Sequence, residues 1–165
     1  MRCAPVAPMM SRRLLLAAAA FAALRVSGCA HGPTVASASI PPIPPGEARI
    51  WIYRNFDPSE SLNAAPVSIN GAVTGHAQPG GGAFYRDLPP GRYHIAVASY
   101  GIDSDQSSNV ELAAGEEAYV RIETLNAWTT GGDLNSFKRD TFYARLAPAP
   151  LARAEIAGSR YYGGS

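Results

Sequence analysis

A thiol, an acidic loop, a pair of strand histidines and a tryptophan-bearing polar segment are the features of this 165-residue chain whose types and spacing could do chemistry. Cys29 closes the run Val26-Ser27-Gly28-Cys29, directly after the apolar stretch Leu14 to Leu24 and the cations Arg12 and Arg13. Charged region, short apolar region and small residues before a cysteine have the order of an export signal with its cleavage site, and the sulfur is the nucleophile on which a lipid can be built. Arg25 is the one charge between the apolar run and this motif. The histidines are weaker: His31 lies in a Pro-rich stretch, while His76 and His94 fall on different strands without spaced carboxylates, so no metal site is expected. Asp103-Ser104-Asp105 opens like an EF-hand, but the sixth position is Ser108 and the twelfth Ala114, so the register fails. A solvated turn is expected there, with irregular calcium binding by Asp103, Asp105 and Glu111 as the alternative.

Catalytic signatures are missing elsewhere. No Gly-x-Ser-x-Gly elbow or phosphate-binding Gly-Lys-Ser/Thr occurs, Gly80-Gly81-Gly82 has no helix behind it, and Glu116-Glu117 sits in a turn where solvation is expected. The expectation is a chain that is not an enzyme and takes no cofactor. Binding chemistry concentrates in residues 126–140, where Trp128, Asn135, Phe137 and Lys138 offer an aromatic platform among polar groups for a sugar or a protein surface. The alternative is that Trp128 plugs one end of the fold.

The amino-terminal segment resembles bacterial lipoprotein signal peptides, which implies diacylation of the Cys29 sulfur, cleavage before it and, usually, acylation of the new amino terminus. A run of 11 residues is too short to cross a bilayer as a helix, which takes roughly 20. Met9 or Met10 would give a more compact signal than Met1. The resemblance also implies an address: Ala30, rather than aspartate, follows the cysteine, which in lipoproteins of enteric type means the outer membrane, facing the periplasm. With Arg2, Arg12, Arg13 and Arg25 removed, the remaining chain holds 10 basic and 13 acidic residues, a net charge of -3. It has one lysine and no basic cluster, so nucleic acid is excluded as a partner. It also has no second cysteine, so its fold must stand without a disulfide.

The elements that would position these groups are strands. Residues 29–46 are small and Pro-rich and read as a lipidated tether, followed by a domain over 47–162 and a frayed tail over 163–165. Ala48, Ile50 and Ile52 alternate with Arg49, Trp51 and Tyr53, and further strands are expected over 66–70, 72–78, 83–88, 92–100, 109–113, 118–124 and 141–146. Asn70-Gly71 and Ala114-Gly115 supply hairpin turns, and Pro90-Gly91 a turn in which Gly91 is expected at positive φ. On the strand after it, Tyr93, Ile95 and Val97 should share one face and Arg92, His94 and Ala96 the other. Ala149 to Ile156 reads as a short helix ended by Gly158, with Leu151, Ala154 and Ile156 on one face, covering a sheet edge or end. The predicted fold is therefore a single antiparallel β-sandwich of seven or eight strands with a carboxy-terminal helix; a barrel is the alternative.

The order Ala48-Arg49-Ile50-Trp51-Ile52-Tyr53-Arg54, Ile69-Asn70-Gly71 and Leu88-Pro89-Pro90-Gly91-Arg92-Tyr93 is similar to the bacterial domain-of-unknown-function family numbered 2846, over roughly Glu47 to Tyr162. That resemblance implies an envelope lipoprotein with a transthyretin-like or carboxypeptidase-regulatory-like sandwich, and it transfers no catalytic residue. Two functions follow: a lipid-anchored envelope protein with a protein-interaction or structural role, or a module that binds glycan or peptidoglycan.

Overall fold

The computed structural model describes residues 32–58, 60–99, 104–124 and 141–165. Within them lie the strands β1 (Ala48–Arg54), β2 (Ala65–Ile69), β3 (Ala72–Ala77), β4 (Gly82–Leu88), β5 (Gly91–Val97), β6 (Ser107–Leu112), β7 (Glu117–Thr124), β8 (Phe142–Leu146) and β9 (Tyr161–Gly164), with helix α1 (Ala149–Ala157) before the last. One sheet has the order β8-β7-β1-β4-β9 and the other β3-β2-β5-β6. Eight strands fall where period-two alternation placed them. The sandwich core forms where the inward residues meet: Ile50 and Ile52 of β1, Phe84 of β4 and Val120 and Ile122 of β7 face Val67, Ile69, Ile95 and Val97 of the second sheet. Tyr93 packs partly against this cluster, so the face assignment of β5 holds.

Turn chemistry explains the hairpins. Asn70 (φ 50°) and Gly71 (φ 84°) both take positive φ, which matches the right-handed twist of β2 and β3. Gly115 (φ 82°) also takes positive φ, but β6 and β7 lie in different sheets, so its turn carries the chain from one sheet to the other and is not the hairpin expected from sequence. Gly91, by contrast, is not among the positive-φ residues and has open space around its Cα, so no special conformation is required of it. Pro89 and Pro90 suffice to stop β4 by withholding donors.

Pairing within the sandwich is antiparallel apart from two parallel pairs, β1 with β7 and β4 with β9. β1 is thus the central strand of its sheet, and it is buried along its whole length. Its outward residues Trp51 and Tyr53 join Ala83, Tyr85 and Tyr119 in a second cluster, roofed by Ala152 and Ile156 of α1 together with Val35 and Ile40. The helix therefore covers a sheet face rather than an edge. Its buried pair is spaced i, i+4, which leaves Leu151 and Ala154 exposed, contrary to the face read from sequence.

Both ends of the domain extend further than the sequence suggested. Residues 32–46 are no spacer: Val35 N donates to Ser159 O (2.9 Å), Ala36 N to Ala157 O (3.0 Å) and Tyr161 N to Pro33 O (2.8 Å). Its prolines cannot donate to a ladder, but the strip bridges Arg160 at Thr34 and lies across an apolar face, which it fills with Val35 and Ile40. The tail pairs as β9, and Asp87 N donates to Ser165 O (2.7 Å). Two small residues, Gly163 and Gly164, hid this strand from a reading based on β-branched and aromatic content. Among the described residues no helix is long and apolar enough to cross a membrane.

Candidate functional site

The outward face of β1 carries charge into the second cluster. Arg49, 3% exposed, donates from Nε to Asp87 Oδ1 (2.6 Å) and from Nη2 to Asp87 Oδ2 (2.7 Å), a bidentate pair made by the direct register of Arg49 with Asp87 across β1 and β4. Its Nη1 donates to the Pro41 carbonyl (2.9 Å), and its Cζ lies 3.9 Å from the Tyr85 ring centroid. Hydrogen bonding to Asp87 raises the Arg49 pKa despite desolvation, so the cation is held fixed. Tyr85 in turn tilts against Trp51 (5.1 Å between centroids) and stacks on Tyr161 (6.2 Å).

A second polar group sits beside the helix. Glu117 accepts from Trp51 Nε1 (3.2 Å), Tyr119 Oη (2.8 Å) and Arg153 Nη2 (2.8 Å). Burial pushes its carboxyl up, but these three hydrogen bonds and the Arg153 charge outweigh it and hold the pKa below the ordinary value. Tyr53 Oη donates to Glu155 Oε2 (2.5 Å), and burial with that hydrogen bond raises its pKa. Arg121 bridges Glu155 and Glu123. Each of these charges is matched by a neighbour, so the layer fastens α1 to the sheet.

The open chemistry lies on the outer face of the other sheet. Asn70, Arg92, Tyr93, His94, Asn109, Val110 and Glu111 line a shallow groove of about 560 Å³. Across β5 and β6, Arg92 pairs with Glu111 (3.0 Å) and His94 Nδ1 lies 3.0 Å from Asn109 Oδ1, while Asn70 Oδ1 accepts from His94 N (2.8 Å). The rungs follow from the register Arg92 with Glu111 and His94 with Asn109. This is a solvent-facing ladder of donors and acceptors on a rigid sheet, suited to a polar partner surface. A second groove of about 330 Å³, lined by Phe56, Asp57, Glu60, Arg121 and Glu123 among others, opens near the ends of β1 and β7. There burial pushes the Glu60 carboxyl up, offset only in part by hydrogen bonding to Thr124 and by the Arg54 charge.

Cys29 lies in residues 1–31, and Trp128, Asn135, Phe137 and Lys138 in residues 125–140, both outside the described residues. His76 and His94 are separated by β2 and are not brought together. Glu111 is engaged with Arg92, and the Asp105 carbonyl accepts from Arg145. Glu116 caps its own turn, accepting from Ala113 N (2.8 Å), whereas Glu117, read as solvated, is drawn into the outer layer. Among the described residues no three His, Cys, Asp or Glu are placed to hold a metal ion. Sequence reasoning missed the Arg49–Asp87 pair; its signal was a charge in each of two strands otherwise rich in apolar residues.

Residues 44–133, more than half of the chain, match the model of the family described as "Protein of unknown function (DUF2846)". The N-terminal domain of AlgF from P. aeruginosa is similar at 21% identity, over 64% of this chain and 98% of that one, with a TM-score of 0.34. That likeness is too slight to bear on function. No curated protein matches.

Proposed function

We propose a role from a plain premise: this chain belongs to the family described as Protein of unknown function (DUF2846). It is a β-sandwich domain held at the cell envelope by lipid on Cys29, and it acts without catalysis, as a contact surface for another envelope protein or as a structural element. The observation that carries this reading is the run Val26-Ser27-Gly28-Cys29, which ends three residues before the described domain begins at Gly32. Two or three acyl chains anchor firmly, at about 0.8 kcal/mol per buried methylene. A non-catalytic role is supported by the way the charges of the outer layer, buried at Arg49–Asp87 and partly exposed at Glu117–Arg153, are matched to one another, and a contact role by the polar ladder of Arg92, His94, Asn109 and Glu111.

Metabolic labelling with a fatty-acid analogue tests the anchor: the wild type should take the label and Cys29→Ser should not. Label on the variant would overturn it. Crosslinking in intact membranes tests the contact, since a specific protein should co-purify with the wild type and be lost from an Arg92→Ala/His94→Ala double variant. Retention on insoluble cell wall instead would favour a glycan-binding module.

A further inference from the structure

Three exposed side chains lie at the end of the sandwich where the chain enters the domain. Phe56 is 64% exposed and Tyr162 42% exposed, although both are large and apolar or aromatic. Each borders the Gly81-Gly82 turn: a Cβ on Gly81 would lie 2.8 Å from Phe56 N and 3.2 Å from its Cβ, and one on Gly82 would enter the Tyr162 ring. Arg160 completes the group, with its carbonyl accepting from Ala83 N (2.8 Å) and its guanidinium 6.0 Å from the Tyr162 ring centroid. A Cβ on Gly32, the first described residue, would lie 3.9 Å from Arg160 Cγ.

We infer that Phe56, Tyr162 and Arg160 form the face on which the domain rests against the lipid headgroup layer. This rests on the lipid anchor proposed above. Three peptide units separate Cys29 from Gly32, a reach of roughly 10 Å, and Gly32 is itself docked on the fold by the contacts of Pro33 and Thr34. Acyl chains on Cys29 would therefore hold the Gly32–Arg160 corner within one headgroup depth of the bilayer. Aromatic rings and an arginine with an apolar stem are the residues that partition to that depth. Asp57 and Glu60 stand close to Phe56 and the chain from Cys29 onward, with 10 basic and 13 acidic residues, is net acidic, so the attraction is interfacial burial of the rings rather than charge. The opposite end of the sandwich, at the Ala114-Gly115 turn, is a full strand length away: Gly115 N donates to Glu47 O before β1, whereas Arg54 at the other end of β1 pairs with Gly82.

The lipidated protein, reconstituted into uncharged vesicles of phosphatidylcholine and phosphatidylethanolamine, carries the test. Single variants F56C, Y162C and A114C, each labelled with an environment-sensitive dye, are compared with and without nitroxide-bearing lipid. Emission should shift to the blue and be quenched at positions 56 and 162 and stay unchanged at 114. If the protein floats with the vesicles but positions 56 and 162 are not quenched, or all three are quenched alike, the seating is wrong and the anchor stands. If the protein does not float with the vesicles, the anchor itself is wrong and the seating falls with it.

Discussion

Asp87 neutralises an arginine that is almost wholly withdrawn from water, so removing the carboxylate leaves a buried cation with the Pro41 carbonyl, the Tyr85 ring and the more distant charge of Glu117 in place of a direct counterion. Asp87→Ala should cost about 3 kcal/mol in urea melts, as the loss of one partner of a buried pair does. Arg92→Ala removes a pair whose side chains are 85% and 68% exposed, and it should change the same melt by less than about 0.5 kcal/mol. Glu117 gives a pH signature. Its folded pKa lies below the ordinary 4.5, so its ionised form contributes stability that is fully present above 4.5 and is lost as pH falls through the lower folded value. Glu117→Gln should therefore cost about 1 to 2 kcal/mol at neutral pH, and the gap between variant and wild type should narrow progressively in melts below pH 4.5.

At the level of elements, the Gly81-Gly82 turn is the most constrained point. Gly82 has φ 143° and no room for a Cβ beneath Tyr162, so Gly82→Ala should lower stability by roughly 1 to 3 kcal/mol, read as a fall in thermal midpoint. Gly91→Ala, at a position with ordinary φ and open space, should leave the midpoint almost unmoved. The contrast shows what the sequence discloses. Alternation in Arg92–Val97 was legible because one face of the strand is buried and the other is wet, and in Ala118–Thr124 because Arg121 and Glu123 alternate with apolar residues, although Tyr119 on their side is buried under α1. The positive φ of Gly71 was legible from its hairpin, but that of Gly82 was not, because Gly82 sits against the Tyr162 ring brought in from a distant segment. β9 escaped for a related reason: its pairing with β4 is parallel, and its Gly163-Gly164 has no side chain to show a period. The covering role of α1 was likewise hidden, because Trp51, Tyr53 and Tyr85 read as strand residues whether or not a third layer covers them. The polar ladder could be anticipated only in part: His94 and Arg92 were placed on one face, but Asn109 and Glu111 needed the register of β5 with β6.

For the whole molecule, the strip from Gly32 to Gly46 belongs to the folded unit. A chain starting at Glu47 loses Val35 and Ile40 from the outer cluster and the Pro41 carbonyl from Arg49, and it should be about 2 kcal/mol less stable than one starting at Ala30 in parallel denaturant melts. The boundary read from composition misplaced this strip because proline content signals missing backbone donors, not missing contacts. The parallel pairing of β1 with β7 bears on how the chain acquires its shape. β1, the first strand made, gains one neighbour only when β4 arrives and the other only when residues up to Thr124 exist, while β4 waits for Tyr161. Such non-local closure gives refolding on the slow, millisecond-to-second side of the range for small domains. A polypeptide threaded through a translocase from its amino terminus would therefore pass in an incomplete state until nearly all of it had crossed, and would close its central sheet on the far side.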